Sequence, residues 1–246
     1  MIDIHCHILP EVDDGAPDWE TAEQMCRIAL ADGIEHIVAT PHANERYFYD
    51  REYVANLLQE LQNRVGESPC LSLGCDFHLS YDNLQAALAS PERYTISGGS
   101  YLLVELSNYS IPTQISDCFA QLGSKGITPI ITHPERNPIL QKSLGRVLEW
   151  AEQGCAIQVT GSALSGSWGE HVRKAARWLL EREAVHVLAT DAHGAKRRAP
   201  VLSSARDAAA EVAGAEVARA LVEDNPRAIV SGKPLAYFRS ITWRPA

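Results

Sequence analysis

An α/β barrel of seven parallel strands is the fold this sequence predicts, and three observations predict it. Short, continuously apolar strand segments alternate with amphipathic helical segments, the pattern of a parallel sheet covered on both faces. Six of the seven strands run into a His, Asp or Glu at their C-terminal ends, the rim on which α/β barrels carry their chemistry. The 246 residues contain no Pro/Ser linker, low-complexity segment or repeated unit, so one domain over 1–246 is expected. A doubly wound sheet is the alternative topology.

The chain opens on Met-Ile-Asp-Ile-His-Cys-His, an apolar run ending in two histidines one residue apart. His5 and His7 lie at strand period, so their rings project to one side and can grip one ion, while alternation turns Cys6 away. Asp13, Asp14 and Gly15 follow on a loop able to fold back over the strand end. Residues 17–32 read as a helix with Pro17 in its first turn, Asp18 and Glu20 near its N-terminus, and Gly33 as its stop. A strand over 34–40 delivers Pro41 and His42. The loop 44–50 carries Arg46, Tyr47, Phe48 and Tyr49 over that end, and a helix over 51–65 follows.

The third strand, 71–75, ends at Asp76, with His78 two residues on. A short helix at 83–89 and the Gly98-Gly99 turn lead to a strand at 101–104 and Glu105. After a helix at 114–124, the strand 127–131 delivers His133, Pro134, Glu135 and Arg136. A helix at 144–153, capped by Gly154, precedes the strand 155–160, whose end offers no obvious ligand. A helix at 170–182 and a strand at 185–189 lead to Asp191, His193 and Arg198. Helices at 201–212 and 215–223 and a turn from Asn225-Pro226 finish the body, and the tail 237–246 carries no signal.

Composition removes several function classes. A net charge of −9 argues against a nucleic-acid surface, which needs clustered Lys and Arg. No signal segment opens the chain and no apolar stretch approaches the ~18 residues that span a bilayer, so a cytoplasmic protein not embedded in a membrane is expected. The six cysteines are scattered without a Cys-x-x-Cys pair, which indicates reduced thiols and no zinc ribbon. None is followed six residues later by an arginine, so a Cys-x5-Arg thiol nucleophile finds no support.

The rim is where chemistry concentrates. His5, His7, Asp14, His42, Asp76, Glu105, His133, Asp191 and His193 converge there, and so many charges need cations to neutralise them. Mixed imidazole and carboxylate donors suit manganese, iron or zinc better than magnesium or calcium, and nine donors suit two or three ions. Such ions lower the pKa of a bound water toward ~7 and hold the oxygens of a tetrahedral substrate. Phosphate-ester hydrolysis is therefore expected, with amide hydrolysis as the competitor. Arg136 and Arg198 weigh toward phosphate, whose oxygens a guanidinium can pair. His36 and His186 read as packed within strands, His171 as a helix-surface residue, and His78 as an undecided rim residue.

His5-Cys6-His7, Pro41-His42, Glu105, His133-Pro134-Glu135-Arg136, Asp191-Ala192-His193 and Asn225-Pro226 together resemble the polymerase and histidinol phosphatase (PHP) superfamily. The opening run through Val12-Asp13-Asp14-Gly15 is most similar to the bacterial tyrosine-protein phosphatases of capsular and exopolysaccharide biosynthesis. The resemblance implies a distorted (β/α)7 barrel with a trinuclear site. It places His5, His7, Asp76 and Asp191 on one ion, Asp76, Glu105 and His133 on a second, and Asp14, His42 and His193 on a third. Turnover would rest on Arg136, Asp191 and His193, with Arg136 and Arg198 on the substrate phosphate. The implied partner is a phosphotyrosine protein, a polysaccharide-assembly tyrosine kinase. Histidinol phosphate, another small phosphoester, or a non-catalytic metal-binding role are the alternatives. Histidinol phosphate would need a spare carboxylate for its amine, and Asp13 and Glu135 are the unassigned rim acids. One departure stands out: the family usually places a glutamate where this chain has Asp76, whose reach is shorter by roughly 1.5 Å.

Overall fold

The structure, a computed structural model, describes residues 1–237; the tail beyond Tyr237 lies outside the described residues. The strands are β1 (Ile2–Cys6), β2 (His36–Ala39), β3 (His42–Ala43), β4 (Cys70–Leu73), β5 (Asp76–His78), β6 (Tyr101–Glu105), β7 (Thr128–Thr132), β8 (Ala156–Thr160) and β9 (Val187–Ala189). The main helices are α1 (Trp19–Ala31), α2 (Arg51–Val65), α3 (Tyr81–Ala89), α4 (Ile115–Ser124), α5 (Gly145–Glu152), α6 (Gly161–Leu164), α7 (Glu170–Glu181), α8 (Ser203–Ala213), α9 (Ala215–Arg219) and α10 (Asn225–Val230).

Two expected strands are broken, and each break has a local cause. Pro41, with no N–H to give the ladder, separates β2 from β3. Gly74 separates β4 from β5 where the backbone passes so close to Val38, Ile96 and Thr40 that a Cβ would lie 3.1–3.3 Å from them. His42 and Asp76 thus open short strands of their own rather than trailing longer ones. Counting each broken strand once gives the seven predicted.

All pairings are parallel, in the orders β1-β2-β4 and β3-β5-β6-β7-β8-β9. The ring closes between β9 and β1 through the Cys6–Ala192 bridge, with Asp191 N–H donating to His5 O at 2.8 Å and His7 N–H to Ala192 O at 2.9 Å. This is a distorted seven-stranded barrel.

Its two apolar layers follow from strand alternation. Ile2, Ile4, Val38, Leu103, Ile130, Ala156, Val187 and Ala189 fill the inner cluster, joined by Ile229 of α10. The larger cluster lies between sheet and helices and includes Met25, Ile37, Leu61, Phe119, Trp150 and Leu179. β1 departs from strict alternation. Its register against β2 gains one residue between Asp3 and Cys6, so Ile4 packs inside while Cys6 packs in the outer layer. That bulge leaves His5 and His7 on the face opposite Cys6.

Helix boundaries obey their caps. Asp18 accepts from Thr21 N–H at 2.7 Å, so α1 starts after it and Pro17 precedes the cap instead of entering the first turn. Ser80 caps α3 through Asn83 N–H, which starts that helix before the expected 83. The helix expected at 215–223 is α9 followed by a π turn over Ala220–Asp224, ahead of Pro226, which lacks the N–H a regular ladder needs. Among the described residues, no helix is long and apolar enough to cross a membrane.

Candidate metal centre and its arginine flank

The site starts from the loop after β1. Ala16 N–H donates to His7 O at 3.1 Å, folding Asp13 and Asp14 back over the strand. Gly15 makes this approach possible, because a Cβ there would lie 2.1 Å from His7 O and 2.6 Å from His7 Cβ. Asp13 is not a free rim acid: its Oδ2 accepts from His7 Nδ1 at 2.7 Å and from His42 N–H at 3.0 Å, and its Oδ1 from Gly15 N–H at 2.9 Å. Asp14, half exposed, offers Oδ1 to His42 Nε2 and to His193 Nε2, each at 3.4 Å.

The hydrogen bonds fix imidazole tautomers in a telling way. His5 Nδ1 meets Gln158 Oε1 at 3.0 Å and His7 Nδ1 meets Asp13, so both rings donate from Nδ1 and aim Nε2 lone pairs at each other, 3.3 Å apart. Lone pairs that close repel unless a cation or proton sits between them. His193 Nδ1 likewise donates to Asp191 O at 3.0 Å, which turns the Nε2 side of its ring toward Asp14. Asp191 Oδ1 lies 3.5 Å from both His5 Nε2 and His7 Nε2. Asp76 is wholly buried with its Oδ2 3.1 Å from His42 Nδ1, 3.5 Å from His5 Nε2 and 3.9 Å from His7 Nε2. Neither Asp76 oxygen, nor His42 Nδ1, has a well-aligned hydrogen-bond partner. Buried carboxylate oxygens in that condition fit metal coordination.

Three overlapping donor groups result: His7, Asp14, His42 and His193; His5, His7 and Asp76; and His42, Asp76 and Glu105. The partition differs from the expected one in giving His7 and His42 two groups each and in leaving Asp191 and His133 outside all three. Asp76 also belongs to two, so its short side chain already stands where a bridge would. His133 lies further out, 3.9 Å from Glu105 Oε1, its ring tilted 32° against the His5 ring with centroids 5.7 Å apart.

The electrostatics describe a cation trap. Burial opposes charge on His7 and His42, yet the neighbouring carboxylates prevail, Asp13 lifting His7 to about 9 and Asp14 and Asp76 lifting His42 to about 11. The bonds from His193 and His42 hold the Asp14 carboxyl far below its usual range. His133 goes the other way, pushed down to about 4 by burial and the Arg136 cation, which keeps its imidazole neutral near pH 7.

Both predicted arginines are present, and both hold Asp191 Oδ2: Arg198 Nη2 at 2.6 Å, and Arg136 through Nη1. Asp191 therefore faces imidazoles with one oxygen and guanidinia with the other. Arg136 also donates to Thr160 Oγ1 at 3.3 Å. Three residues of this flank, His133, Asp191 and Arg198, have φ of 33°, 51° and 51°, left-handed backbone that non-glycine residues adopt at a cost.

Several participants were not foreseen. Gln158 and Thr160 come from β8, the strand whose end offers no obvious ligand, and Trp168 packs under both guanidinia, with Arg136 Cζ 3.9 Å and Arg198 Cζ 5.3 Å from its ring. A tryptophan in a rim loop, between that strand and α7, was the available signal. Glu135 is fully buried, its Oε1 accepting from Thr160 N–H at 2.9 Å and its carboxyl raised to about 7 by burial. His78 does face the rim, 3.7 Å from Glu105 Oε2. His36 bonds Ser72 Oγ, His186 is buried, and His171 is exposed, as read. Six free cysteines lie among the described residues, four of them buried.

Fold and rim together define a metal-dependent hydrolase built on an α/β barrel. The chain belongs to the capsular polysaccharide synthesis CpsB/CapC family, whose sequence model matches residues 1–231. It is 33% identical over 239 residues to the tyrosine-protein phosphatase CpsB of Streptococcus pneumoniae, covering 94% of this chain and 98% of that one. It is also 33% identical over 201 residues to the tyrosine-protein phosphatase YwqE of Bacillus subtilis (strain 168), covering 80% and 79%. A solved structure from the work on YwqE and CpsB, described as unique metal-dependent tyrosine phosphatases, matches with a TM-score of 0.89 at 29% identity over the whole of both chains. These relatives bear out the resemblance read from the motifs.

Proposed function

We propose that this protein is a metal-dependent tyrosine-protein phosphatase that acts, as a cytoplasmic single-domain enzyme, on a tyrosine kinase of polysaccharide assembly. The observation that carries the phosphatase chemistry is Asp191, shared between the imidazole cluster and two guanidinia on one flank of the donor groups. His5, His7, Asp14, His42, Asp76, Glu105, His133, Asp191 and His193 would hold two or three ions of manganese, iron or zinc. Bound there, they supply Lewis acidity and a nucleophile competent at neutral pH.

The chain's own residues do the rest. Arg136 and Arg198 turn from Asp191 to the phosphoryl oxygens, where fixed guanidinium donors stabilise the charge that builds in the transition state. Trp168 and Thr160 hold Arg136 in its fork. Asp13 and Gln158 orient His7 and His5. Tyr47 stacks on the His42 ring at 5.8 Å and 9°, leaving an aromatic wall beside the donors, whereas Tyr49 turns inward and donates its hydroxyl to Gly74 O.

The histidinol-phosphate reading loses its support, since Asp13 is taken up by His7 and Glu135 is buried against the backbone of β8. The test is side-by-side kinetics on a phosphotyrosine peptide, a phosphoserine peptide and histidinol phosphate at matched metal loading, with a chelated control. The expected result is chelator-sensitive turnover highest on phosphotyrosine. A tenfold preference for histidinol phosphate, about 1.4 kcal/mol, refutes the assignment.

A further inference from the structure

Among the described residues, five large hydrophobic side chains are substantially exposed, and three stand on consecutive loops of the rim. Phe48, 86% exposed, lies in the loop after β3; Tyr81, 76% exposed, opens α3 just after β5; Tyr109, 96% exposed, lies in the loop after β6. β3, β5 and β6 are neighbours in the sheet, and their C-terminal ends carry His42, Asp76 with His78, and Glu105. The loop bases are tied together: Asn83 Nδ2 donates to Ala43 O at 2.9 Å and to His78 O at 2.8 Å, and Leu79 N–H donates to Glu105 O at 3.0 Å. Large aromatics have no reason to face water on adjacent loops for the sake of the fold, because none of the three packs into the core. Rigid, amphipathic aromatics that bury on contact are what protein-binding surfaces use as anchors.

We propose that Phe48, Tyr81 and Tyr109 form a docking rim for the polypeptide on either side of the phosphotyrosine. The inference rests on the phosphatase reading and deepens it. A phosphotyrosine reaching the donor groups brings its own chain across the rim, where the loops after β3, β5 and β6 form one arc and Arg136, Trp168 and Arg198 follow β7, β8 and β9 on the next. Continuity with the site is direct at one end, where Tyr47, stacked on His42, adjoins Phe48 in sequence. A small phosphoester carries no flanking chain to lay on these side chains and gains nothing from them.

The proposal separates two quantities that a single-site enzyme would keep together. In the metal-loaded full chain, Tyr81→Ser/Tyr109→Ser should lower kcat/KM on a twelve-residue phosphotyrosine peptide about fivefold or more, mostly through KM, with p-nitrophenyl phosphate turnover within about twofold of the parent. Calorimetry with a peptide bearing a non-hydrolysable phosphonate should show the same weakening without any turnover. Equal peptide binding by parent and variant overturns the proposal. So does a parallel loss on both substrates, and so does a parent that dimerises through a contact the double variant abolishes, since the surface would then belong to a second copy. Absence of hydrolysis by the parent on either substrate would instead refute the phosphatase reading, while the phosphonate-peptide binding still decides the docking rim.

Discussion

Gly15→Ala is the sharpest test of how the site is built, because one methyl group is aimed at backbone. Its Cβ would meet His7 O at 2.1 Å, His7 Cβ at 2.6 Å and Asp13 Oδ1 at 2.9 Å, and strand β1 cannot yield without opening the β1–β9 closure. The loop must therefore lift. Overpacking of this kind costs about 1–3 kcal/mol, and each charge-assisted hydrogen bond lost from Asp13, to His7 or to the His42 backbone, costs about 1.5–3 kcal/mol more. The lower end of that sum, about 4 kcal/mol, corresponds to a fall in Tm of roughly 10 °C for a chain of this length. The assay is urea and thermal unfolding of chelator-treated protein, so that metal linkage does not enter, with elemental analysis of separately loaded protein. Lifting the loop also withdraws Asp14, so the variant is expected to hold at least one ion fewer than the parent. Gly145→Ala is the control: its Cβ would meet nothing within 4 Å at the start of α5, and alanine there is expected to be neutral or stabilising by up to about 1 kcal/mol. If Gly15→Ala unfolds within about 1 kcal/mol of the parent and keeps its full metal content, the fold-back loop is not what holds Asp13 and Asp14 in place.

Arg136→Ala is expected to reduce kcat/KM on phosphotyrosine peptides by about 2–4 kcal/mol of transition-state stabilisation with near-UV and far-UV dichroism unchanged; full activity would pass the phosphate role to Arg198 alone. Asp76→Glu is expected to lose metal and activity together, because Asp76 is wholly buried and already within 3.9 Å of three imidazoles, so an added methylene overpacks the site; a gain in occupancy by elemental analysis would contradict this. His186 sits buried with its pKa pushed down from 6.5 to about 4, chiefly by burial, and accepts Ile157 N–H at 3.1 Å. The unfolded chain takes up that proton first, so the contribution of His186 is complete above pH 6.5 and is lost as pH falls toward about 4, about 3 kcal/mol in all. Stability of His186→Gln against pH should be flatter across that window than the parent's, and identical slopes would refute the assignment.

The rim was legible because its signal is positional. A His, Asp or Glu at the end of nearly every strand needs no knowledge of contacts, and the Asp-Asp-Gly after β1 shows a fold-back loop by its glycine. What was illegible depends on partners distant in the chain. Gln158 orients His5 from 153 residues away, and nothing about a glutamine inside a strand distinguishes that duty from ordinary packing. Asp13 and Glu135 read as spare acids because sequence shows a charge but not the N–H groups that consume it. The β1 bulge is invisible for a different reason. Period-2 reasoning places His5 and His7 on one face correctly, but only the one-residue register gain against β2 lets that face be the mouth of the barrel while Ile4 still packs inside.

The same site explains why its geometry is expensive to hold and why that expense is directed. His133, Asp191 and Arg198 account for three of the six non-glycine residues with positive φ among the described residues, a cost of about 1–3 kcal/mol each. Both Asp76 oxygens are buried without aligned donors, and His5 and His7 turn lone pairs toward one another. Nothing in the packing of the barrel asks for any of these features, whose natural relief is positive charge at the centre of the donor groups. Protons can serve, which is the physical meaning of a His7 pKa near 9 and a His42 pKa near 11. A divalent ion must displace those protons to bind, so metal affinity rises with pH through the range in which these imidazoles deprotonate. Asp191 couples this centre to its flank. One of its oxygens faces the imidazoles and the other both guanidinia, so an ion held by this centre would draw carboxylate charge away from Arg136 and Arg198 and leave the two guanidinia freer to pair an incoming phosphoryl group.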